Sequence, residues 1–163
     1  MRPHVISWLI WGIATTVIFI AQLGDGAGVG AWPVGVSALL TLAVASLAFY
    51  FRTDTHIDNK DRLAFAFTLL ALPLWYFTSE PLYALIILSL VDLSGFIPTI
   101  RKINRDPYTE SAVFFALFAS RNLFILLALE HYSAVTMMFP SLIGLTCLSL
   151  IGYMLFLRGQ QNR

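Results

Sequence analysis

Two formal charges stand inside long apolar runs of this chain: Asp92 in residues 82–100 and Arg121 in residues 111–129. Asn122 follows Arg121 directly, and Ser89 precedes Asp92 by three residues. A carboxylate accepts hydrogen bonds, a guanidinium donates through five N–H groups, and an amide does both. Charges at membrane depth are costly, so they face a partner or a water-filled path. Asp92 lies nine residues before Arg101, and Arg121 ten residues after Ser111. At 1.5 Å per residue both fall roughly 14–15 Å from one edge of a core about 30 Å thick. The spacing predicts an Asp92–Arg121 ion pair near the midplane with Asn122 beside it. Such a pair either fixes helix packing or lines a path for a small polar solute or a proton. Thr15, Thr16, Gln22 and Ser89 add polar groups, each expected first as an interhelical hydrogen bond.

Other chemistries find no residues to carry them. No His-Glu-x-x-His pattern occurs and no nucleophile stands beside a base, so neither an enzyme, a metal site nor a cofactor is expected. Glu130-His131 is the one acid–base doublet, and at the end of an apolar run it is expected to cap an interface. The glycines of 24–30 follow no strand and precede no Lys-Ser/Thr, which argues against a phosphate loop. A flexible outer loop with Trp32 anchored at the membrane interface is expected there. Cys147, the single cysteine, sits in an apolar run and is expected to pack. A net charge of +1 with no basic face excludes a nucleic-acid partner.

Charged residues make up only 12% of the chain, against about 25% in a typical soluble domain, so lipid is the expected solvent. Six stretches approach the ~20 apolar residues of a spanning helix: 5–23, 33–51, 63–78, 82–100, 111–129 and 135–157. The fold class expected is all-α, a polytopic membrane bundle of six transmembrane helices with no separate soluble domain. The first stretch is longer than a signal-peptide core and lacks a small-residue cleavage site, so it is expected to remain.

Sidedness is written in the loops. Alternating them puts Arg2, Arg52, Lys60, Arg62, Arg101, Lys102, Arg105, Arg158 and Arg163 on one side. Loops 24–32, 79–81 and 130–134 on the other side hold no Lys or Arg. The positive-inside rule then predicts a multi-pass protein of the cytoplasmic (inner) membrane with both termini cytoplasmic.

Prolines 73, 98 and 140 fall in or at the edge of these stretches. The tract 91–102 is the most broken: Gly95 and Pro98 interrupt the helix carrying Asp92, and Arg101-Lys102 follow. Gly95, Pro98 and Thr99 are the expected hinge. Gly95-Phe96-Ile97-Pro98-Thr99-Ile100-Arg101-Lys102, followed by Asp106-Pro107-Tyr108-Thr109-Glu110-Ser111 and a new helix, resembles the PQ-loop superfamily of membrane proteins. That superfamily includes the SWEET and SemiSWEET sugar transporters. There a helix ends in Pro-Gln, a short basic loop follows, and a Ser-containing start opens the next helix. Thr99 stands where the glutamine would be, so no substrate is carried over. An offset of 104 residues places Pro3 on Pro107, Ser7 on Ser111 and Ser37 on Ser141, as a repeated register. The chain also resembles a bacterial branch in which Gly-Phe-x-Pro-Thr-x-Arg-Lys recurs.

The resemblance implies a SWEET-like 3+1+3 plan lacking its first helix. Residues 1–51 would form the incomplete first repeat and 52–81 the linker helix region. Residues 82–157 would form the second three-helix repeat and 158–163 a cytoplasmic tail. A solute would sit between the bundles, with access alternating about Pro98, and Asp92, Arg121, Asn122 and Ser89 as pathway candidates. A homodimer or a partner helix would complete the first bundle. The function expected is transport of a small polar solute by alternating access. The alternative is a non-transporting membrane scaffold or partner subunit with a structural Asp–Arg pair.

Overall fold

The computed structural model describes residues 5–51 and 59–161. Arg2, Pro3, Arg52 and Arg163, used above for sidedness and for the repeat, lie outside the described residues, as does the side chain of Pro98. The described chain is helical throughout, with no strand. The helices are α1 (Val5–Gly24), α2 (Trp32–Tyr50), α3 (Asn59–Thr78), α4 (Pro81–Ser94), α5 (Phe96–Arg105), α6 (Ala112–Leu127) and α7 (Ala134–Gln161). A short 3-10 turn, Gly28–Ala31, precedes α2.

Local signals explain the boundaries. Pro33 and Pro81 stand in the first turns of α2 and α4, where a missing N–H costs nothing. Ser111 caps α6 by accepting from Phe114 N at 3.3 Å. The segment 82–100 divides at Gly95: its N–H turns back to Asp92 O at 3.1 Å, and Ser94 Oγ donates to Val91 O at 2.6 Å. Pro98 has no N–H to offer the Ser94 carbonyl, so the ladder is thin on both sides of Gly95. Pro73 and Pro140 lie inside α3 and α7 without dividing them.

Three stretches are long and apolar enough to cross a membrane: Gly28–Tyr50, Pro81–Arg105 and Ala134–Gln161. Six were expected. Trp8–Gly24 and Ala112–Leu127 are apolar but shorter, and α3 opens with Lys60, Asp61 and Arg62. Large apolar side chains cover the outside, with Leu39 69% and Phe77 82% exposed. This is the surface of a protein made for an apolar solvent, since monomeric soluble proteins rarely show contiguous apolar patches beyond a few hundred Å².

Inside, α1 is central. It packs along α2 and also touches α3, α4 and α7; α7 in turn lies against α4 and α6. Small residues permit the close approach of α1 and α2. A Cβ on Gly12 would fall 2.5 Å from Leu42 Cδ2, and one on Gly35 would fall 2.7 Å from Phe19 Cε2. Lipid tails are as apolar as leucine, so such backbone proximity and interhelical hydrogen bonds hold helices together. Gln22 is one of these bonds: its Nε2 donates to Thr136 O at 3.1 Å, joining α1 to α7.

The two ends of the bundle differ in charge. At one end Lys102 pairs with Glu110 at 2.6 Å, and Arg158 donates to Pro107 O and Glu110 O, both at 3.0 Å. At the other, the loop after α1 is clasped to the loop after α6. Glu130 Oε1 accepts from Val29 N at 3.1 Å, and Ser133 Oγ donates to Asp25 Oδ2. His131 Nδ1 lies 2.8 Å from Asp25 O and 3.7 Å from Asp25 Oδ2. The loop expected to be flexible is therefore packed, with Ala27 and Ala31 fully buried against Leu129. Its glycines serve that packing. A Cβ on Gly30 would fall 2.9 Å from the backbone N of Leu129, which has no room to yield. Gly30→Ala should lower the unfolding free energy of the purified protein by about 1–3 kcal/mol, measured by denaturant titration in detergent; an unchanged midpoint would mean the clasp carries no stability.

Candidate functional site

Arg121 leaves α6 beside Phe118, one turn earlier on the same face, with its guanidinium 5.2 Å from that ring centroid. Nη2 donates to Pro33 O at 2.8 Å and to Ser37 Oγ at 2.7 Å. Both acceptors lie at the start of α2. Pro33 O can accept this second donor because a backbone carbonyl carries two lone pairs. Nε and Nη1 of Arg121 have no partner among the described residues. Asp92, half-buried on α4, has no hydrogen bond or ion pair among the described residues.

The expected Asp92–Arg121 ion pair is therefore not formed. The two side chains instead line one cavity of about 260 Å³. Its walls come in pairs spaced three or four apart: Trp8 and Trp11 with Thr15 on α1, Ser37 with Leu40 and Thr41 on α2, Phe118 with Arg121 on α6, and Phe139 with Ile143 on α7. That spacing puts each pair on one helix face. Five helices contribute: two from the first half of the chain and three from the second.

Most hydroxyl donors around the cavity are already used. Thr15 Oγ1 donates to Trp11 O at 2.7 Å, and Thr41 Oγ1 to Ser37 O at 2.7 Å. Ser37 Oγ takes the Arg121 proton. What remains is a carboxylate at one wall, guanidinium N–H groups and the Ser37 hydroxyl proton at another, and two indoles packed edge to face at 5.9 Å. Trp11 also rests against the helix break, since a Cβ on Gly95 would come 3.1 Å from its Cζ2. The helix break and the cavity thus share a wall.

Two of the four pathway candidates fall elsewhere. Asn122 is 1% exposed; its Nδ2 donates to Phe118 O at 2.8 Å, and it faces Gly144 of α7. One residue is about 100° of helix rotation, which turns Asn122 away from the face of Arg121. Ser89 is buried on α4 nearly a turn from Asp92, outside the cavity. Thr16 donates to Gly12 O at 2.6 Å within α1, and Gln22 bridges to α7 far from Asp92. Of the polar groups on α1, only Thr15 reaches the cavity. The cavity residues the sequence did not single out were Trp8, Trp11, Ser37 and Thr41. Their i, i+3 and i, i+4 repetition was visible, but a helix face by itself does not say what it faces.

Among the described residues no three His, Cys, Asp or Glu side chains gather as a metal site. No protein-family model, curated protein or solved structure matches this chain. The geometry of the cavity carries the functional argument alone.

A half-buried carboxylate without a partner costs stability, whereas a paired one loses stability when cut from its partner. Asp92→Leu should therefore raise the unfolding free energy by about 1–3 kcal/mol. A fall of about 3–5 kcal/mol in detergent unfolding would instead reveal a salt bridge.

Proposed function

We propose that the protein is a multi-pass transporter that carries a small polar solute by alternating access. One observation carries the reading. Asp92 and Arg121 line a cavity between the two halves of the chain without pairing with each other. A structural pair would close on itself; two separated charges facing one space are arranged for a third party. A volume of about 260 Å³ suits a small metabolite, since pockets for drug-sized ligands begin near ~300 Å³.

In this reading six segments span the cytoplasmic membrane with both termini inside. The shorter helices reach by including their capping turns: residues 111–129 extend roughly 28 Å at 1.5 Å per residue. The clustering of Lys102 and Arg158 at one end, with Asp25, Glu130 and His131 at the other, supports that orientation. The PQ-loop plan supplies the motion. The halves rock about the tract Gly95, Pro98 and Thr99, and Trp11 on the break carries that rocking into the cavity wall. Discontinuous helices at midplane sites are a recurring transporter device. The scaffold reading draws support from the Arg121 hydrogen bonds that tie α6 to the start of α2. It gives Asp92 no task.

Thiol accessibility tests the reading. In a Cys147→Ser background, single substitutions Asp92→Cys, Thr41→Cys, Ser89→Cys and Asn122→Cys are labelled in oriented vesicles with a membrane-impermeant maleimide. Transport predicts labelling of Asp92→Cys and Thr41→Cys, with the reactive side changing when solute is added, and no labelling at Ser89→Cys or Asn122→Cys. Unreactive thiols at 92 and 41 in well-inserted protein would turn the assignment to a scaffold.

A further inference from the structure

We propose that the solute is a zwitterion with an apolar body, of the class of leucine or phenylalanine. The inference deepens the transport reading and rests on it for passage across the membrane, though not for binding.

The uncommitted groups of the cavity select the ligand. Asp92 offers acceptors and no donor; Arg121 has Nε–H and Nη1–H without a partner among the described residues and has no acceptor. An ammonium answers the first and a carboxylate the second. A simple anion would satisfy Arg121 and leave Asp92 as a buried charge facing a like charge. A simple cation would do the reverse. An uncompensated buried charge is the costly outcome at such a site. A zwitterion satisfies both, and its own net charge of zero leaves the cavity balanced.

A sugar fits less well. It carries hydroxyls on every side and needs paired donors and acceptors around the ring. Here the hydroxyl protons of Thr15 and Thr41 are committed to their own helices, which leaves the Ser37 hydroxyl as the one uncommitted hydroxyl donor among the described lining residues. The apolar part of the lining is Leu40, Phe118, Phe139 and Ile143, which suits an aliphatic or aromatic side chain. The indoles of Trp8 and Trp11 add a face that an ammonium favours. A space of about 260 Å³, just below the ~300 Å³ at which pockets for drug-sized ligands begin, suits a molecule the size of one amino acid.

Calorimetric titration of the purified, full-length protein with leucine and phenylalanine tests the proposal. N-acetyl-leucine lacks the ammonium, leucinamide lacks the carboxylate, and glucose stands for the sugar class. At least one of the two amino acids should bind, and the two blocked analogues should bind roughly 10- to 100-fold more weakly. Asp92→Asn keeps the shape and removes the charge. It should erase the preference for leucine over N-acetyl-leucine and keep the preference over leucinamide, a split that simple misfolding would not produce. No binding of either amino acid, equal binding of the blocked analogues, or stronger binding of glucose would overturn the proposal. Side-switching thiols without amino-acid binding would sink the zwitterion and leave transport standing. Amino-acid binding with thiols that never change sides would keep the zwitterion and sink transport.

Discussion

The placement of Arg121 governs the interior. A guanidinium cannot be neutralised in a protein, so among apolar helices it must find acceptors. It finds them on α2, in a prolyl carbonyl at the helix start and a serine hydroxyl one turn on. That choice ties α6 to the start of α2 through one side chain. It also denies Asp92 the partner that sequence spacing offered it. The carboxylate and the remaining N–H groups are left facing a common space. The cavity is thus a consequence of how one cation is satisfied rather than of poor packing around it.

The surroundings are built to tolerate that arrangement. α1 and α2 approach through Gly12 and Gly35, and Gln22 bonds α1 to α7. Away from the basic end, the loops after α1 and α6 are clasped through Glu130, Ser133 and His131, so helices from both halves move with those loops. At the basic end, Arg158 and Lys102 gather the α5–α6 connection around the end of α7. Between these two ends the helical ladder is interrupted at Gly95. Trp11 lies on it and lines the cavity. Flexing the break therefore changes the space that holds the charges.

Much of this was legible. Apolar run lengths gave the helices to within a few residues, because lipid and helix geometry leave few alternatives. Gly95 and Pro98 marked the interruption, because they act through backbone chemistry that needs no neighbour. Asp92 and Arg121 were visible because charges in apolar runs are few. The glycine-rich loop was misjudged: glycine permits close packing as readily as motion, and only Leu129 opposite Gly30 distinguishes the two.

By itself, then, the sequence determined the helical class, the apolar exterior, the position of the break and the place of the two charges along their helices. These follow from periodicity, composition and rise per residue, which are properties of one segment at a time. Only the tertiary structure decided that Asp92 and Arg121 share a cavity without pairing, that Asn122 faces α7, and that Trp8, Trp11, Ser37 and Thr41 complete the walls. Those outcomes depend on the rotation of each helix about its axis. Rotation is fixed by neighbouring side chains, and no single helix carries that information.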